Sequence, residues 1–253
     1  MEFREAYNEY LKYTPNIQYN SSFELIDELS NKLKNGENIT ISRFNDGEWA
    51  FMFNHISYIN ARLTKLHTSA DAKLCLSYTA RLLNKILNNE PDYFVSIDSR
   101  SRTELPFKKW VDANIYKFKN VIGGGVFNIW SLYTGFDDLF NIFTYRDVLI
   151  VGPNYLKRLP IDADYITFDS VTAIYDTQKN VCNIIRYLDN NYKKNMIIIY
   201  SCSFIANVAI DEIYKIYGNN ITQLDMGASL NPFVGISNRF WHDLMIAKIK
   251  NKK

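Results

Sequence analysis

The segment Met196–Tyr217, MIIIYSCSFIANVAIDEIYKIY, decides how the chain is organised. It opens on a continuous apolar run, Met196 to Tyr200, the pattern of a strand buried on both faces. Ser201, Cys202 and Ser203 then make a turn of small residues. From Ser203 to Tyr217 the spacing becomes helical, with Ile205, Val208, Ala209, Ile213 and Ile216 expected on one inward stripe. Gly218 is a natural stop. Strand, tight turn and amphipathic helix in that order form a βα unit.

The same alternation continues on both sides. Asp147-VLIVG, Asp164-YITF and Ile221-TQLD read as strands, and Asp176 to Leu188 as a helix. Upstream, Ser21-Ser22 caps a helical run with Phe23, Leu25, Ile26, Leu29 and Leu33 on one face, ended by Gly36. A β-branched strand follows from Asn38 to Phe44. A long amphipathic helix is expected from Ser69, a strand over Asp92–Ile97, a short helix over Glu104–Asn114 and a short strand at Val121 that ends in three glycines. Asn128 to Phe143 reads as an aromatic-rich helical segment, its rings packed in the core. Apolar strands alternating with amphipathic helices predict an α/β fold: a doubly wound, mostly parallel sheet with helices on both faces. No repeat or linker divides the chain, so a single domain over 1–253 is expected, with helices over 1–37 and a basic, solvated tail over 248–253.

Composition narrows the function. The chain has 253 residues, 47% of them hydrophobic and 15% aromatic, which is enough for a substantial core and argues against disorder. Twenty-nine basic residues against 27 acidic give a net charge of +2, which makes a nucleic-acid partner unexpected. Cys75, Cys182 and Cys202 form no CxxC pair, and the histidines form no HxH or HExxH pattern, so a zinc cage is not expected. The scattered cysteines fit a reducing compartment. With no apolar leader or membrane-length run, a cytoplasmic protein without a transmembrane segment is expected.

In open parallel sheets, ligands bind outside the carboxyl ends of the strands. Across the end of the first strand runs RFNDGE, Arg43 to Glu48, where Asp46 and Glu48 are two carboxylates separated by a glycine. Such a pair can hold Mg²⁺ or Mn²⁺, and Arg43 can contact a phosphate oxygen. The plainer alternative is an Asn-Asp-Gly turn whose glutamate starts a helix. Ser201 and Ser203 sit where a helix N-terminus can receive an anion, or serve as ordinary caps. Cys202 reads as a buried, inert thiol. Asp225 and Gly227 close the last strand. Asp225 can hold a ribose, a sugar hydroxyl or a turn, and Gly227 allows a tight approach. Arg239 can reach a diphosphate or make a surface ion pair. Asp98 follows another strand and can serve as a base or a sugar contact. The Gly123–Gly125 run has neither the GxGxxG nor the P-loop spacing.

Two of these stretches carry a family resemblance. R-F-N-D-G-E resembles the R-[YF]-G-D-G-E motif of the GT-D-type glycosyltransferases. The later L-D-M-G-A-S-L-N-P-F, with N-R-F-W-H behind it, is similar to the D-x-G-S-x-L-[DN]-P-F pattern of their relatives. The resemblance covers roughly residues 39–53 and 147–242. It implies a Rossmann-like fold and transfer of a sugar, hexose or pentose, from a nucleoside diphosphate, most simply UDP, to a hydroxyl of a glycan or glycoconjugate. It also implies that Asp46 and Glu48 engage the metal of the donor. The chain departs from the motif at Asn45, where the family has glycine, and at Ala228, with the serine moved to Ser229. Asp98, Glu104 and Asp176 are the carboxylates that could act as base in an inverting reaction. The rival readings are a catalytically silent nucleotide-binding module, a Rossmann-type methyltransferase, whose glycine-rich loop is missing, and a glycosyltransferase acting on nucleic-acid bases.

Overall fold

The computed structural model describes residues 23–45, 48, 90–97, 109, 113, 120–169 and 176–251. The expected long helix from Ser69 lies outside these residues, as does nearly all of the short helix over Glu104–Asn114. Seven strands form one parallel sheet: β1 (Thr40–Phe44), β2 (Tyr93–Ile97), β3 (Val121–Gly123), β4 (Val148–Gly152), β5 (Asp164–Thr167), β6 (Ile197–Tyr200) and β7 (Thr222–Asp225). Their order is β3-β2-β1-β7-β6-β4-β5, and every neighbouring pair is parallel. The principal helices are α1 (Phe23–Lys34), α2 (Val126–Thr134), α3 (Asp137–Phe143), α4 (Thr177–Asn191), α5 (Ile205–Tyr217) and α6 (Phe240–Asn251).

Helices cover both faces, as the apolar strands require. Alternate residues of each strand point to opposite sides. Ile198 and Tyr200 of β6 join Phe44, Val95 and Leu149 in a core shared with α4 and α5. Ile197 and Ile199 join Ile41, Phe94, Ile150 and Leu224 in a second core under α1, α2, α3 and α6. The aromatic run lies in this second core: Phe127, Trp130, Phe136 and Phe143 are all buried.

Two expectations are corrected. The helical segment expected over Asn128–Phe143 is two helices, because Gly135 and Phe136 both adopt left-handed backbone, at φ 65° and 57°. Gly135 is at ease there; Phe136 is held by its buried ring, stacked on Phe233. Ile216, expected inside, is 55% exposed. Thirteen helical residues span about 20 Å and a four-residue strand only about 13 Å, so the last turn of α5 outruns the sheet. The tail expected to be solvated continues α6 as far as Asn251, with Lys250 exposed and Ile249 packed on the core.

Chain direction fixes where a ligand can enter. From β1 the chain moves outward through β2 to β3, whereas β4 to β7 occupy the other side of β1. β1 and β7, the first and last described strands, are neighbours near the middle of the sheet, so their carboxyl ends lie side by side on the edge where parallel α/β sheets bind ligands.

Candidate active site

Arg43, the last but one residue of β1, and Asp225, the last of β7, face each other across these neighbouring strands. Arg43 Nε lies 3.9 Å from Asp225 Oδ1, close enough for an ion pair but too far for a hydrogen bond. Arg43 Nη1 donates to the Met226 carbonyl at a long 3.4 Å, and Nε is buried without a hydrogen-bond partner. The side chain is only 12% exposed. A guanidinium has five donors; among the described residues this one is held only by long contacts, in a largely water-excluded place.

Gly227 makes room for it. Its backbone is left-handed, at φ +51°, and a Cβ there would lie 2.1 Å from Arg43 Nη2. Ser201, after β6, donates its hydroxyl to the Gly227 carbonyl at 2.7 Å, so it braces this turn. Asn207, on the first turns of α5, donates to Ser42 Oγ at 3.0 Å and to the Arg43 carbonyl at 2.7 Å. Strands β1, β6 and β7 and helix α5 are thus tied together at one point.

Burial raises the Asp225 carboxyl to about 6, against the pull of Arg43 and of the backbone N–H groups of Arg43 and Gly227. Burial also pushes the Cys202 thiol well above its usual value, with the Asp225 charge adding to the effect. Fully buried and protonated, Cys202 is no nucleophile, as the sequence suggested. His242 is buried at the start of α6, where its Nδ1 accepts the Asn238 N–H. Burial and the Arg239 charge hold it down at about 4.

The other expected site residues are placed as follows. Glu48 is helical and 9% exposed, and its Oε2 accepts the Asn45 N–H at 2.9 Å. This is the back-bond of a capping box, and it holds the carboxylate over the end of β1. Ser203 is exposed, with left-handed backbone at φ 54°. Arg239 is exposed before α6. Asp176 is exposed and immediately precedes α4. Asp46, Asp98 and Glu104 lie outside the described residues. Gly124 continues the ladder, donating to the Ile97 carbonyl, and Gly125 precedes α2, so the glycine run is a strand-to-helix joint. Sequence reasoning missed Asn207, whose only signal is an amide inside an otherwise apolar helix face.

Carboxylate oxygens suit Mg²⁺ or Mn²⁺, and Mg²⁺ is commonly held by one or two carboxylates plus substrate phosphates. Glu48 meets that requirement, since ligating carboxylates are themselves oriented by hydrogen bonds. Among the described residues no group of three or more His, Cys, Asp or Glu side chains is arranged to hold a metal. None of the described helices is long and apolar enough to cross a membrane.

The arrangement defines an open, parallel α/β protein with a cation and a buried carboxylate at the carboxyl ends of its central strands. Among solved structures, its neighbours are the glycosyltransferases of domain of unknown function 1792, and the fold is the GT-D fold. One is described as a new glycosyltransferase from Streptococcus sanguinis: TM-score 0.55, 14% identity, 81% of both chains covered. A second is described as a highly conserved domain with a distinct glycosyltransferase fold: TM-score 0.55, 16% identity, covering 81% of this chain and 78% of the other. No protein-family model and no curated protein matches the sequence.

Proposed function

We propose that this protein is a metal-dependent glycosyltransferase that moves a sugar from a nucleoside diphosphate, most simply a UDP-sugar, to a hydroxyl of a glycan or glycoconjugate. The observation that carries this reading is Arg43: a nearly buried guanidinium, held among the described residues only by long contacts, at the carboxyl ends of the central strands of a fold shared with glycosyltransferases. Its unsatisfied donors match a diphosphate, which takes two parallel N–H bonds from one guanidinium.

In this reading Asp46 and Glu48 hold Mg²⁺ or Mn²⁺, which, when bound, neutralises charge on the departing diphosphate. Arg43 binds a diphosphate oxygen and shares that charge. Asp225, the Met226 carbonyl and Gly227 orient the guanidinium. Ser203, exposed in the turn after β6, offers a hydroxyl to the donor, and Arg239 a second cation. During transfer the bond between the anomeric carbon and the diphosphate oxygen breaks, and a bond to the acceptor oxygen forms. In an inverting reaction the acceptor proton passes to a carboxylate, for which Asp98, Glu104 and Asp176 are the candidates.

The test is UDP binding and UDP-sugar hydrolysis, each with and without Mn²⁺. Glu48→Gln keeps a side chain that can still accept the Asn45 N–H but removes the charge. Its melting temperature should stay near wild type while Mn²⁺-dependent binding and turnover are lost, as they should be in Asp46→Asn. Full activity in both variants would overturn the metal assignment.

A further inference from the structure

At the amino-terminal edge of the sheet, opposite the crevice, a cavity of about 670 Å³ opens beside the entries to β4, β5 and β6. Its size is that of a small-molecule site. Most donors around it are already engaged, although Arg146 Nη1 is buried without a hydrogen-bond partner among the described residues. Arg146 gives Nε to the Asn195 carbonyl at 2.6 Å and Nη2 to Asn38 Oδ1 and Thr222 Oγ1. Lys193 pairs with Asp147, and the Tyr187 hydroxyl donates to Asp164. The amides of Asn190 and Asn191 donate to carbonyls of their own helix, α4.

What remains toward the cavity is rich in acceptors: the carboxylates of Asp162 and Asp164 and the two amide oxygens of Asn190 and Asn191. Beside them stands Tyr145, 87% exposed, the most exposed large apolar side chain described, with Tyr192 at 39%. A second cavity, of about 730 Å³, shares Tyr145 and Arg146 with the first and continues toward Leu33 and Ile142. An uncovered phenol ring therefore stands between two adjoining hollows. A ligand fitting both has hydroxyl donors along its edges, an apolar face for the ring, no net charge and an extended shape.

We infer that these cavities form a second binding site, for a neutral oligosaccharide laid across Tyr145. The inference rests on the glycosyltransferase reading only in taking that oligosaccharide to be part of the acceptor. The site is separated from the transfer crevice by the length of the strands, so it retains the glycan rather than reacting with it.

The experiment titrates the full chain with hexasaccharides of glucose, galactose and N-acetylglucosamine, without donor or metal, and follows binding by calorimetry. Tyr145→Ala should weaken binding of at least one saccharide by about tenfold, the loss of one stacked ring. Tyr145→Phe, which keeps the ring, should bind like wild type, and both variants should keep the melting temperature and UDP-sugar hydrolysis of wild type. Absence of saturable binding to all three saccharides, or equal binding by wild type and Tyr145→Ala, overturns the inference. Saccharide binding that depends on Tyr145 in a protein that hydrolyses no UDP-sugar would sink the transferase reading and leave this site standing.

Discussion

Gly227 shows how much of the site depends on one missing side chain. Its left-handed backbone and its contact with the Arg43 guanidinium are separate demands, and Gly235 separates them. Gly235 is also left-handed, at φ +77°, but a Cβ there meets nothing within 4 Å. Alanine in the left-handed region costs about 1–2 kcal/mol, so Gly235→Ala should lose about that much stability in urea and Gly227→Ala at least as much, because its methyl must also displace the guanidinium. Only Gly227→Ala should also lose UDP affinity, because its methyl group occupies the place of Arg43 Nη2. Equal UDP affinity in the two variants would show that the guanidinium seat is not needed. The glycine and the arginine were both visible in the sequence as residues that follow strands. Their contact was not, because it depends on β1 and β7 being neighbours.

At the scale of elements, Asn207 fastens α5 to the end of β1. Replacing it with alanine removes bonds to Ser42 Oγ and the Arg43 carbonyl and leaves buried groups unpaired, which costs about 1–3 kcal/mol. Urea unfolding of Asn207→Ala should show that loss, and UDP should bind more weakly because the backbone carrying Arg43 is no longer held. The strands and helices around this point were legible in the sequence wherever apolar spacing was regular, as in Asp147–Gly152 and Met196–Tyr217. The sequence was silent where tertiary packing overrides local preference. The bend before α3 uses a phenylalanine in left-handed backbone, which only a ring locked among Phe140 and Phe233 explains. Ile216 obeys the helical spacing yet meets no sheet. The amide of Asn207 looked like a flaw in an apolar stripe until β1 was placed beside it.

For the molecule as a whole, two buried groups set opposing responses to acid. Asp225 is raised from 3.8 to about 6, so the folded state holds its proton more tightly than the unfolded chain does. Its stabilising contribution is full below the unfolded value and is lost as pH rises through about 6. His242 is lowered from 6.5 to about 4, so its contribution is full above 6.5 and is lost as pH falls toward 4. The two effects are similar in size and largely cancel over this window. Urea midpoints measured from pH 4 to 7 should therefore fall more steeply with acid in Asp225→Asn than in wild type, and less steeply in His242→Gln. Parallel profiles for all three proteins would contradict both assignments. The sheet order has a consequence for how the chain reaches this state. The first described strand lies at the centre and is flanked by the last, so β1 keeps one edge unpaired until β7 arrives. Pairing of this sequence separation is slow to form, and an open central edge is a template for other chains. During synthesis the protein depends on β7 to close the middle of its sheet, so a nascent chain halted before Ile221 would present two adhesive strand edges, on β1 and β6, to its neighbours.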